Sequence, residues 1–195
     1  MGNLQTFGLF IVFDGHSGAQ YANQVAKEFP SFLAGQEPFS TLNDGDDYDA
    51  EQIKAALRES FLKYDKQMQT VPNISTSGWL VNNYIYYSSI LFSTATGVLV
   101  TPKHFFMMNI GDSRSVVCRK SEVFFATDDH KPTHYSERMR IEKAGGHVSQ
   151  NRVNGQLAVS RALGDFEMKR NSACDQISQL VSPEADVTGK VTRIS

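Results

Sequence analysis

The amino-acid sequence predicts an α+β domain, and two observations carry that expectation: a pair of amphipathic helical segments follows the first strand, and a run of short strands joined by tight turns follows the helices. Paired helices beside sequential strands suit antiparallel layers better than a doubly wound parallel sheet. The length of 195 residues suits one domain with a sizeable core. With 41% hydrophobic and 21% charged residues, collagen-like, disordered and coiled-coil classes are set aside.

The first strand is the apolar, aromatic and β-branched run Phe7 to Phe13, stopped by Asp14-Gly15. Ala22, Val25, Ala26 and Phe29 then share one helical face, which Pro30 disturbs and Gly35 ends. In the second helix Ile53, Leu57, Phe61, Tyr64 and Met68 form one stripe, and Asp46, Asp47, Asp49 and Glu51 place negative charge at its N-terminus. Strands follow at 97–100, 105–108, 116–118 and 123–125. A short helix over 136–144 closes at Gly145-Gly146, and further short strands occupy roughly 147–159.

A net charge of -2, with no basic block that could track a phosphate backbone, argues against a nucleic-acid partner. Cys118 and Cys174 have no metal-ligand spacing and read as reduced thiols. No secretory signal or apolar membrane-length run is present, so an intracellular protein, cytoplasmic or nuclear and monomeric, is expected. Met1-Gly2-Asn3-Leu4-Gln5-Thr6 fits the loose N-myristoylation pattern, but the strand that begins directly after it argues against that use.

Four clusters could carry chemistry. Asp14-Gly15-His16-Ser17-Gly18 puts a carboxylate, a backbone carbonyl and an imidazole where a strand meets a helix, a donor set that suits magnesium or manganese and also ordinary turn chemistry. Gly111-Asp112-Ser113-Arg114 reads locally as a turn in which Asp112 bonds its own backbone. In Asp128-Asp129-His130-Lys131-Pro132 adjacent carboxylates point apart, so one can line a site while the other is solvated. Ser160-Arg161-Ala162-Leu163-Gly164-Asp165 reads as a structural ion pair between Arg161 and Asp165. The acidic stretch 43–49 fails the EF-hand pattern, because its Gly stands at the second place and Tyr48 at a ligand position. His104, His134 and His147 lack ligand-like spacing.

These clusters, with Ser93-Thr94-Ala95, Gly145-Gly146, Arg152-Val153-Asn154-Gly155 and Val181-Ser182-Pro183-Glu184, stand in an order that resembles the metal-dependent serine/threonine phosphatases of the protein phosphatase 2C family over roughly residues 7–187. The resemblance implies a sandwich of two antiparallel β-sheets flanked by helix pairs, with two Mn2+ or Mg2+ ions in a cleft at one end. It gives Asp14 the role of bridging both metals, Gly15 a carbonyl ligand, His16 the general acid and Asp129 a further metal position, and it leaves Arg114 and Arg161 structural. The implied reaction is hydrolysis of phosphoserine and phosphothreonine in phosphoproteins, with metal-activated water as nucleophile.

The sequence departs from the family pattern in three places. An upstream Arg that holds substrate phosphate, with its Glu-Asp pair, has no counterpart, nor do the late Asp-Gly-x-Trp-Asp and Asp-Asn motifs. A partial phosphatase domain over 1–188, incomplete at both ends, with a non-family tail at 189–195, is therefore expected. Such a chain would be weak or inactive alone, the alternative being a non-catalytic interaction or regulatory fragment. Finally, Trp79 to Phe92 interrupts the expected passage from Ser77-Gly78 into Ser93-Thr94-Ala95 and reads as an insertion, a translated retained intron being favoured over a divergent loop.

Overall fold

Alternation along the first apolar run sets the frame of the fold. In strand β1 (Gly8–His16) the odd positions from Leu9 to Gly15 are half-buried while Phe10, Val12, Asp14 and His16 are exposed, so one strand presents a core face and an outer face. The computed structural model describes residues 7–42, 47–70, 78–81, 84–87 and 91–191, with 78–81 and 84–87 described as backbone only. The N-myristoylation pattern at 1–6 and Asp46 lie outside the described residues.

Helices α1 (Gln20–Ala34) and α2 (Ala50–Gln69) pack together on the core face of the sheet. Tyr21, Val25, Phe29 and Leu33 of α1 meet the expected stripe of Ile53, Leu57, Phe61, Tyr64 and Met68 of α2, and all nine are buried. Phe29 holds this layer together, its ring 4.7 Å from that of Phe61 and 5.4 Å, edge-on, from Tyr64. One expectation shifts: Ala26 is exposed. Pro30 lies inside α1, which ends at Ala34 with Gly35 as its C-cap. The carbonyl four residues before Pro30 belongs to that exposed Ala26, so water can satisfy it, while burial of Phe29 and Leu33 on the other face carries the helix onward. At the start of α2, Asp49 accepts a hydrogen bond from the Glu51 N–H at 2.9 Å.

The backbone pairs as β2 (Gly78–Val81) with β3 (Tyr84–Tyr87) in a two-stranded ladder of their own, after which β4 (Phe92–Val100) enters the main sheet. The main sheet continues through β5 (His104–Ile110); β6 (Val116–Arg119) and β7 (Glu122–Ala126) form a hairpin; α3 (Tyr135–Lys143) precedes the β8 (Val148–Ser149) and β9 (Arg152–Val153) hairpin; β10 (Leu163–Gly164) and β11 (Asp186–Val191) complete the set. The main sheet has the order β1-β4-β5-β11, with β10 joining β4 beyond the reach of β5, and every pairing is antiparallel. The expected antiparallel α+β architecture is present. No helix among the described residues is long and apolar enough to cross a membrane.

Two of the expected boundaries fall within paired strands. Phe92 is 4% exposed, pairs with His16 and Gly164, and belongs to β4, while the Leu91 carbonyl accepts from the Asp165 N–H at 3.0 Å. The expected end of the insertion therefore falls on the first residue of β4. Likewise β11 crosses the 188/189 boundary, because Gly189 and Lys190 continue the ladder opposite Phe106 and Phe105.

Candidate active site

The outer face of β1 carries Asp14 and His16 to its end, two residues apart and therefore on one side of the sheet. Ser17 (φ 62°) and Gly18 (φ 130°) then turn the chain sharply towards α1. Gly15 is required by close approach: a Cβ there would lie 2.8 Å from the Ala22 Cβ and 2.9 Å from the Gly18 carbonyl oxygen. The register places Asp14 opposite Thr94 and His16 opposite Phe92. The His16 imidazole stacks on the buried Phe92 ring, with centroids 4.8 Å apart and planes at 24°.

The same register brings in a residue that the sequence left as a turn. Ala95 pairs with Phe13 on one side and Ile110 on the other, so Gly111 comes level with Thr94, where it adopts φ 95° and a Cβ would meet the Thr94 Cγ2 at 2.4 Å. Asp112, the next residue, then lines a cleft of about 250 Å3 together with Asp14, Gly15, His16, Phe92 and Thr94. Arg152, Leu157, Ala158 and Val159 complete the lining. Asp112 does not bond its own turn; its carboxylate is held by the Lys131 ammonium at 2.5 Å.

Asp129-His130-Lys131 grips the Gly111–Arg114 turn residue by residue. Asp129 accepts from Arg114 Nε at 2.9 Å, the His130 backbone N–H donates to the Gly111 carbonyl at 2.8 Å, and Lys131 holds Asp112. The buried His130 ring accepts the Gly111 N–H through Nδ1 at 3.0 Å, and its Nε2 faces Asp186 at 3.2 Å. Asp14, Gly15 and His16 thus share the cleft, whereas Asp129 faces Arg114 and is not part of the lining. Among the described residues no three His, Cys, Asp or Glu side chains cluster as a metal cage.

The sequence model described as Protein phosphatase 2C matches residues 2–195. The chain belongs to the protein phosphatase 2C family. It is 38% identical over 187 residues to "Protein phosphatase 1B" of Rattus norvegicus, covering 94% of this chain and 45% of that protein, and 38% identical over 184 residues to "Protein phosphatase 1A" of Bos taurus with the same coverages. It therefore spans less than half the length of these relatives. Among solved structures, "Crystal structure of a phosphatase from a pathogenic strain Toxoplasma gondii" superposes with a TM-score of 0.71 at 21% identity, over 96% of this chain and 65% of that one. "Structure of a C.elegans sex determining protein" gives 0.72 at 25% identity, over 97% and 41%.

In this phosphatase 2C chain the expected Arg161–Asp165 pair does not form. Arg161 instead pairs with Glu137 at 2.6 Å and Asp186 at 3.0 Å. The segment between them runs through β10 rather than a helix, and Asp165 turns into a left-handed conformation (φ 49°), so a spacing of four does not align the two side chains. Asp165 is 1% exposed, and neither carboxylate oxygen has a hydrogen-bond partner among the described residues. Burial raises its pKa to about 6, against the opposing pull of Lys169. The folded state binds the extra proton between the ordinary value of 3.8 and about 6, so this residue's contribution is most favourable below that window and declines as pH rises through it. Asp165→Asn, which keeps the shape and tolerates the left-handed backbone, is expected to stabilise the protein by up to about 3 kcal/mol above pH 6 and by nothing near pH 3. Urea unfolding of both proteins at several pH values measures this; a gain that does not change with pH would contradict it.

Proposed function

We propose that this chain carries the catalytic cleft of a metal-dependent serine/threonine protein phosphatase acting on intracellular phosphoproteins. The observation that carries this reading is the convergence of Asp14, Gly15, His16 and Asp112 on one cleft. Carboxylate and carbonyl oxygens are hard donors of the kind that suits Mg2+ or Mn2+, and such an ion commonly uses one or two carboxylates, with water and phosphate oxygens completing its shell. Asp14, the Gly15 carbonyl and Asp112 would hold it. When bound, the ion supplies charge neutralisation at the phosphoryl oxygens.

The remaining work falls to the chain itself. Stacking on Phe92 fixes the plane of the His16 ring at the cleft wall, from which the imidazole can hand a proton to the departing serine or threonine oxygen. The Lys131 ammonium keeps Asp112 in place and offsets its charge, which lessens repulsion of an incoming phosphate.

The sparse protein donor set favours weak metal binding and slow turnover by the chain alone, and it motivates a second reading as a non-catalytic fragment that retains phosphoprotein or regulator contacts. Turnover of a phosphothreonine peptide across a Mn2+ titration separates the two. Expected is slow hydrolysis that needs high metal concentration, disappears in Asp14→Asn and ignores inhibitors of other phosphatase classes. Peptide binding with no hydrolysis at any metal concentration would favour the second reading; hydrolysis unchanged in Asp14→Asn would overturn the site.

A further inference from the structure

Part of the lining of the Asp14 cleft comes from a tight hairpin. Gln150 (φ 51°) and Asn151 (φ 59°) form its turn, a double left-handed conformation that matches the twist of a two-residue hairpin. Val153 is fully buried against Ile141 and Leu157, and strand alternation sends its neighbour Arg152 to the opposite, exposed side, where it lines the cleft.

Arg152 differs from the other arginines in its partners. Six of the eight described arginines are paired with carboxylates, and Arg119 lies over the Phe124 ring. Arg152 instead donates from Nη1 to the Gln156 carbonyl at 2.8 Å. That bond steadies the guanidinium while using one of its five N–H groups, and none of the described carboxylates pairs with it. It is the single cationic side chain among the described residues that line a cleft which also holds two aspartates, and Lys131, outside the lining, is committed to Asp112.

Charge balance gives this placement a purpose. A phosphate monoester entering beside Asp14 carries negative charge towards a carboxylate, and a guanidinium in the same lining, steadied by one hydrogen bond, offers N–H groups that match phosphoryl oxygens. We propose that Arg152 is the residue of this cleft that binds the substrate phosphoryl group. The inference rests on the phosphatase reading and adds to it the side chain that captures the anion. A purely structural role, capping the turn that ends at Gln156, is the competing account.

Titration of the full chain with inorganic phosphate and with a phosphoserine peptide, followed by the His16 imidazole NMR signals, tests it in wild type, Arg152→Gln and Arg152→Lys, each with Mg2+ present and absent. Expected is roughly tenfold or greater weakening in Arg152→Gln, smaller weakening in Arg152→Lys, and unchanged melting temperatures. Where peptide turnover is measurable, KM should rise with kcat nearly kept. Equal phosphate affinity in wild type and Arg152→Gln would overturn the assignment while leaving the phosphatase reading intact, and a lowered melting temperature alongside it would identify the capping role. Failure of wild type to bind either anion would remove both the assignment and the reading beneath it.

Discussion

Glu137→Ala is expected to cost about 3–5 kcal/mol of folding stability, because it leaves two half-buried guanidinium groups without their shared carboxylate. Glu137 stands in the first turn of α3, is 3% exposed, and accepts from Arg140 at 2.9 Å and from Arg161 at 2.6 and 3.0 Å. Arg140 also donates to the Gln179 and Ser160 carbonyls, and Arg161 to Asp186, so the carboxylate sits at the junction of α3, β11 and the segments around 160 and 179. Burial alone would raise the Glu137 pKa, but the hydrogen bonds and charge of Arg161, helped by Arg140, hold it at about 2. A folded value below the ordinary 4.5 means that its stabilisation is fully present above that pH and is lost as pH falls towards 2. Over that interval the loss is about 3 kcal/mol. Glu137→Gln keeps the volume and one acceptor, so it should fall between wild type and Glu137→Ala at pH 7 and converge on wild type near pH 2–3. Urea unfolding across that range measures both effects; a wild-type advantage over Glu137→Gln that persists unchanged to pH 2 would show the charge to be unimportant.

What the sequence made legible follows from the range of the interactions involved. The α2 stripe could be read because five large apolar residues repeat at helical spacing, and all five are buried. Asp14 and His16 could be placed together because a strand's two-residue period is local, and the order of motifs then joined them to a family. Asp112 could not be read in this way. Its position depends on β4 pairing at once with β1 and β5, a register that local spacing does not encode. Asp129 shows the same limit from the other side: adjacent carboxylates announce that one can face a site, but local spacing does not show that Asp129 is met by Arg114 from the neighbouring turn. Arg161 and Asp165 were misjudged because a spacing of four implies contact only on a helix, and the chain there is a strand ending in a left-handed residue. The Gly111 turn carried the one usable signal for the missed site residue, a glycine-aspartate pair following directly on a buried strand.

The second large loss of stability is expected at Asp65. This α2 residue is 2% exposed and accepts at Oδ1 from the Lys169 ammonium and from the Gly164 N–H, both at 2.8 Å, while Lys169 also donates to the Ala162 carbonyl at 2.9 Å. Gly164 in turn pairs with Phe92, the residue on which His16 stacks, so the ion pair supports β10 and, through it, one wall of the cleft. Burial pushes the Asp65 carboxyl up and the Lys169 ammonium down, each opposed by its partner, which marks a pair in which desolvation outweighs the mutual attraction. Breaking one side should therefore cost more than removing both. Asp65→Ala is expected to lose about 3–5 kcal/mol, Lys169→Met a similar amount, and the double variant Asp65→Leu with Lys169→Met markedly less than the two single losses added together. Unfolding free energies of wild type, both single variants Asp65→Leu and Lys169→Met, and the double variant complete the cycle. Strict additivity would mean that the carboxylate and the ammonium act independently, and that the Gly164 N–H bond alone accounts for the hold of α2 on β10.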